Sequence, residues 1–210
     1  MDEAKFSRWG LLGGVGTAVL LVAGGFLAGS PPKVGDSDTK IVTFITDHQD
    51  ALKVSSYLGG VAGVLFLWFL GSLYSRLRQA EGGTGRLARV GLTGGIVAIT
   101  IAFAGNAIAA NAALHPSAGL YRLASNFYGY VGFAAAVFVA AVSVLIWSTG
   151  LLPKWFGYAG EVLAVGWFVA AASVSTESDA IFVVGFVVFL VWAVWLAALS
   201  VMLYRQPATA

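Results

Sequence analysis

The stretch that decides the fold runs from Thr46 to Gly83, TDHQDALKVSSYLGGVAGVLFLWFLGSLYSRLRQAEGG. Its polar lead-in ends at about Tyr57, and Tyr57–Ser75 carries no charge before Arg76 and Arg78 close the run. Coiled as an α-helix, such a run crosses the hydrocarbon core of a bilayer, which takes about 20 apolar residues at 1.5 Å of rise each. Arginines directly after a span mark the end that stays in the cytoplasm.

Comparable apolar runs recur on both sides of this one. Spans are expected at about 9–29, 57–75, 90–114, 123–147, 155–174 and 181–204. One apolar run alone also suits a core helix of a soluble protein, but six in succession do not. The chain has 210 residues, 59% of them hydrophobic and only 10% charged, with a mean hydropathy of +0.85. Those values exclude a soluble domain, and six helices with their loops leave no length for a second one. The expected fold is all-α: a single membrane domain over residues 1–210, its six transmembrane helices in up–down order.

The first span follows a charged leader, Met1–Arg8, and ends in Ala28-Gly29-Ser30-Pro31-Pro32. Small residues at 28 and 30 also suit a cleaved signal peptide. The apolar run is longer than the usual signal core of about 7–15 residues, so a retained helix is the better reading. The loop that follows, Ser30–Lys53, is the longest. Within it Ser37 or Asp38 is a natural N-cap, and Ile41, Phe44, Ile45 and His48 share one helical face while Lys40, Asp47 and Asp50 fall away from it. A short amphipathic helix over about 38–50, lying on the outer membrane surface, is expected. The loop RLRQAEGGTGRLAR after the second span is not helical through its glycines, and the tail RQPATA is expected to fray.

Lysine and arginine sort unevenly about these spans. With the N-terminus inside, the inner side holds Lys5, Arg8, Arg76, Arg78, Arg86, Arg89, Lys154 and Arg205, eight in all. The outer side holds four, Lys33, Lys40, Lys53 and Arg122, and most of the acid: Asp36, Asp38, Asp47, Asp50, Glu177 and Asp179. This asymmetry places both termini in the cytoplasm and the protein in the plasma membrane as a multi-pass chain. The net charge of +2 is too small to argue for nucleic acid. The absence of cysteine excludes disulfides and cysteine–metal sites.

Gly10-Leu-Leu-Gly-Gly in span one recurs as Gly91-Leu-Thr-Gly-Gly in span three, and Ala23-Gly24 aligns with Ala104-Gly105. Internal duplication and chance matching of glycine-rich helices both explain this. Either way it differs from the inverted repeats with broken helices of many secondary transporters. The outer-loop approach DHQDALKVSSYLGG, the run LFLWFLGSLYSRLRQAEG and the Leu152-Pro-Lys-Trp-Phe-Gly turn together resemble a group of small six-helix integral membrane proteins of high-GC Gram-positive bacteria, whose function is not assigned. The likeness covers nearly the whole chain and is strongest over about 46–90 and 150–160. It implies a fold and a compartment, and brings no reaction, substrate or catalytic residue with it.

Chemistry-bearing residues inside the spans are few. Glu161 is the one acid, six residues past Trp155 and so about 9 Å into the span. At the bilayer centre it would cost about 2.5–3.5 kcal/mol. At this depth it can pair, with an arginine of the second loop for instance, snorkel to the interface, or handle a proton or ligand. Asn106, Asn111, Asn126 and Tyr130 belong to the hairpin of spans three and four. Cross-helix hydrogen bonds, worth about 0.6 kcal/mol on average, are the ordinary use of such amides. The alternative is a small polar pocket in the outer half, with Asn106 facing span four or a cavity. Arg76, Arg78, Arg86 and Arg89 set topology, and contact with anionic headgroups is a further use at about 1 kcal/mol each.

The G-x-x-x-G pairs Gly10/Gly14, Gly25/Gly29, Gly59/Gly63 and Gly91/Gly95 let helices approach within the bundle, and Gly59/Gly63 is the candidate for self-association or for a protein partner. Gly13-Gly14-Val15-Gly16 lacks a preceding strand and is no phosphate loop. His48 with Asp47, Asp50 and His115 is more simply a solvated edge than a metal site. There is no His-Glu-x-x-His, serine–histidine pair, paired carboxylates or mid-span lysine. No cofactor or metal is expected. The function expected is non-enzymatic: binding of membrane lipid or another small apolar molecule, or service as an accessory subunit. The alternative is a small transporter with Glu161, Asn106 and Asn126 as its polar path.

Overall fold

The computed structural model describes residues 8–176 and 178–206. Lys5, Glu177 and most of the RQPATA tail lie outside the described residues. The described chain is all-helical, and six of its helices are long and apolar enough to cross a membrane. In order they are α1 (Gly13–Phe26, the regular part of the span Arg8–Phe26), α2 (Asp38–Asp47), α3 (Gln49–Glu81), α4 (Arg86–Leu114), α5 (Ala118–Thr149), α6 (Lys154–Ala170, continued by the 3₁₀ turn Ala171–Val174) and α7 (Asp179–Arg205). The short α2 is the exception among them.

Helix ends depart from the apolar runs because backbone geometry, not hydrophobicity, stops a helix. The expected second span, 57–75, is the middle of α3, which starts two turns earlier and runs on to Glu81 through Arg76 and Arg78. The loop after it shrinks to Gly82-Gly83-Thr84-Gly85, three of whose residues have φ of 66°, 49° and 61°. Only glycine adopts that backbone without strain, so the glycines break the helix where expected. Glu81 then accepts the backbone N–H groups of Leu87 and Ala88 at 2.9 and 2.8 Å. Its carboxylate satisfies first-turn donors of α4 that would otherwise be orphaned.

The surface helix forms and is shorter than expected, ending at Asp47, where His48 breaks the path at φ −115°. Ser37 is the cap, its side chain accepting from the Lys40 N–H at 3.4 Å. Ile41 and Ile45 are fully buried and pack on Ala118 and Tyr121 at the start of α5. Phe44 stacks on His48 with ring centroids 4.5 Å apart.

Each spanning helix packs on the next, and α7 returns onto α1, so the six close into a ring with α5 also reaching α3. The contacts along each pair run in opposite order. Gly14 meets Ser200 while Phe26 meets Phe186, and Gly91 meets Ala141 while Gly105 meets Phe127. α5 is the centre of the bundle: 61% of its apolar window is buried, against 22–33% in the other spans. The middle is filled by rings, with Phe66 edge-on to Phe138 at 5.7 Å and to Trp192 at 6.3 Å, and Trp192 edge-on to Trp167 at 6.0 Å. Such offset and edge-on contacts are the favoured aromatic geometry.

Glycines set the spacing of the ring. Gly10 and Gly13 lie on the backbone of α3 at Trp68 and Leu65, Gly59 and Gly63 face Asn106 and Phe103 of α4, and Gly94 lies on the α5 backbone at Ala134 and Phe138. The face considered for self-association, Gly59/Gly63, is thus taken up within the chain. Gly25 and Gly29 have open space around them.

Candidate functional site

Between α3 and α4, toward the end that carries α2 and where Gln49 donates to the Ala113 carbonyl at 2.8 Å, lies an open groove of about 400 Å³. It is lined by Lys53, Ser56 and Tyr57 from α3, and by Phe103, Asn106, Ala107, Ala110 and Leu114 from α4. From Leu114 to Phe103 the α4 wall descends about 16 Å at the rise of an α-helix. Its walls are mainly carbon, with Lys53 toward the α2 end and Asn106 part-way down. Lys53 reaches back to Asp50 at 3.4 Å, and that carboxylate is 97% exposed.

Asn106 takes a different partner from the one expected. Its Nδ2 donates to the carbonyl oxygen of Ser56 at 2.7 Å, so it bonds to the second span and not to the fourth. Gly59 makes this possible, because a methyl group there would meet both amide heteroatoms at 3.2 Å. On the next face of α4, Gly105 lies against Phe127 and Tyr128. Those two rings occupy the approach from span four.

The other expected site residues do not join Asn106. Asn111, Asn126 and Tyr130 are exposed on the bundle surface. Glu161 is half-buried and accepts a 2.8 Å hydrogen bond from Trp147 Nε1 on α5. Its partner is an indole on the neighbouring helix, not an arginine of the second loop. Asn106 bonds between α3 and α4, Glu161 between α5 and α6, and the ring-filled core lies between α3, α5, α6 and α7. Among the described residues these groups form no common polar path.

The four arginines also separate. Arg76 is buried, at 8% exposure. Arg78 donates to the Gly82 carbonyl at 3.3 Å, and Arg89 to the carbonyls of Gly85 and Thr84 at 3.3 and 2.7 Å. Those two brace the glycine turn, while Arg86 and Arg89 stay exposed. No group of three or more His, Asp or Glu side chains suited to a metal occurs among the described residues.

The sequence reading missed a clamp at the α2 end. Arg122 donates to the carbonyls of Val34 and Asp36 at 2.9 and 2.8 Å and to the Asp38 carboxylate at 2.7 Å. Beside it, the Tyr121 hydroxyl donates to the Pro32 carbonyl at 2.6 Å. Asp36 pairs with Lys40 at 2.8 Å and accepts the Lys33 N–H, while the Lys33 amine reaches Asp179 at 2.6 Å. The Lys40 hydrogen bond, then the Lys33 N–H, hold the Asp36 carboxyl below its ordinary range, and the hydrogen bond to Asp179 raises the Lys33 amine. The adjacent Tyr121-Arg122 pair just inside a helix start was the available signal.

No family profile, curated protein sequence or solved structure matches this chain.

Proposed function

We propose that this chain is a multi-pass membrane protein that binds a lipid molecule in the α3–α4 groove and has no catalytic role of its own. The observation that carries this reading is the groove itself: open, walled by Phe103, Ala107, Ala110 and Leu114, with Lys53 at the end toward α2. A pocket largely of carbon with a few placed polar groups suits an amphipathic ligand. Its opening faces where acyl chains would lie once the six helices are inserted.

An up–down order with both termini in the cytoplasm is the arrangement in which this groove meets the outer leaflet. Two observations support it. The contacts of neighbouring helices run in opposite order, and Arg8 donates to the Tyr204 carbonyl at 3.1 Å, which brings the two described ends of the chain together. The inner side would then hold the larger share of lysine and arginine.

Native mass spectrometry of protein extracted in mild detergent tests the binding. The wild type is expected to retain a phospholipid and Ala107→Trp, at an exposed position on the groove wall, to lose it. Equal retention by the two would overturn the reading. Single cysteines at Ser37 and Thr84 test the orientation: an impermeant maleimide should label Ser37→Cys and spare Thr84→Cys in intact cells, and the reverse would overturn it.

A further inference from the structure

One charge at the polar end of the groove and an opposite one just outside it stand in a fixed order along α3. α3 descends from Gln49, so Asp50 stands one turn above Lys53, about 4.5 Å apart along the axis. Lys53 lines the groove, and Asp50, above it, is almost fully exposed and has Lys53 as its ion-pair partner. Resting on the lipid-binding reading above, we infer that the preferred ligand is a zwitterionic phospholipid, with its phosphate on Lys53 and its amine on Asp50.

The argument is one of charge order. In a phospholipid of the ethanolamine or choline type the phosphate lies next to the glycerol, and the amine is carried beyond it on a two-carbon arm. A lipid entering with its chains toward Phe103 brings its phosphate to the level of Lys53 first, and the amine then falls one turn higher. The two ends of the headgroup exchange partners with the existing Asp50–Lys53 pair, so each protein charge stays compensated. An anionic lipid with an uncharged alcohol at that position satisfies Lys53 but sets its negative charge against Asp50, whose partner it has taken. Like charges placed together suppress the wrong ligand. Ser56, Tyr57 and Asn106, whose amide donates to the Ser56 carbonyl, supply the remaining polar lining and carry no charge.

Delipidated full-length protein, incubated with equimolar phosphatidylethanolamine and phosphatidylglycerol of identical acyl chains, tests this by native mass spectrometry. The wild type should retain the ethanolamine lipid by about five-fold over the glycerol lipid, the weight of one charge contact near a membrane surface. Asp50→Asn should abolish that preference, and Lys53→Gln should weaken retention of both lipids. A preference unchanged by Asp50→Asn, or a wild type that takes phosphatidylglycerol equally well, overturns the headgroup assignment. Ala107→Trp separates the two levels. Loss of both lipids in that variant keeps the groove reading even when the headgroup assignment fails, and full retention of both sinks the groove itself.

Discussion

Trp147 Nε1 donates to Glu161 Oε1 at 2.8 Å, joining α5 to α6 near the end of the bundle where the described chain ends meet. The indole gives a half-buried carboxylate one good donor, and Tyr158 stacks on the far side of the ring at 6.0 Å. Removing the donor by Trp147→Phe should lower stability by about 1–3 kcal/mol, the range for a hydrogen bond to a charged group whose partner stays behind. Glu161→Gln keeps an acceptor and should change it by less than about 1 kcal/mol. Thermal unfolding in detergent measures both. A larger loss for Glu161→Gln than for Trp147→Phe would contradict this pairing.

Two glycines inside long helices should respond differently to alanine. A methyl group on Gly94 would meet the Phe138 backbone nitrogen at 2.8 Å and the Ala134 carbonyl at 3.2 Å, whereas one on Gly71 meets nothing within 4 Å. Backbone cannot rotate aside as a side chain can, so Gly94→Ala must push α4 from α5, at about 1–3 kcal/mol. Gly71→Ala should fall within about 0.5 kcal/mol of wild type. Denaturant titration of the two variants side by side makes the comparison.

Arg122 ties three points of the long loop to α5, and its planar fork is what reaches all three. Arg122→Ala should free the loop over residues 31–38 and raise its amide exchange at least tenfold, about the effect of losing 1.4 kcal/mol of local stability. Lys offers a single point of charge, so Arg122→Lys should restore little. Exchange mass spectrometry resolves this segment. Full protection in the lysine variant would mean that charge alone, and not the fork, holds the loop.

The same loop should loosen in acid. The Asp36 carboxyl titrates below its ordinary value of 3.8 in the folded chain, so its contribution is complete above that value and is lost as pH falls through the lower folded one. Asp36→Asn should therefore be less stable than wild type at neutral pH, with the gap closing below about pH 4. Lys33, raised by Asp179, has the opposite sign, and its contribution fades only as pH climbs beyond the ordinary lysine range. Thermal scans of wild type and Asp36→Asn across pH 3–7 follow the convergence, and a gap constant with pH would contradict it.

Much of the architecture was readable because lipid imposes a length on each apolar run and glycine a place to stop. Tyr57–Ser75 announced α3, and Gly82–Gly85 its end. Ser37 and the spacing of Ile41 and Ile45 announced α2. What the runs do not carry is which face meets which neighbour, because in lipid both lipid-facing and buried positions are apolar. Hence Asn106, expected to face span four or a small cavity, lines the groove and bonds to Ser56 of span two, and Glu161, for which an arginine was one partner considered, found an indole. Hydropathy also hid that α5 is the most buried of the six. The Arg122 clamp was hidden because two of its three partners are backbone carbonyls, which any sequence supplies.

The closure of α7 onto α1 has a consequence for how the chain is made. Synthesis proceeds from the N-terminus, and domains are generally completed in that order. Here Gly14 packs against Ser200 and Trp9 against Tyr204, so α1 waits for a helix made more than 150 residues later. Until the ribosome has delivered α7, the flank of α1 that it covers is left without that partner. A nascent chain truncated before α7 should therefore be the form most exposed to membrane proteases.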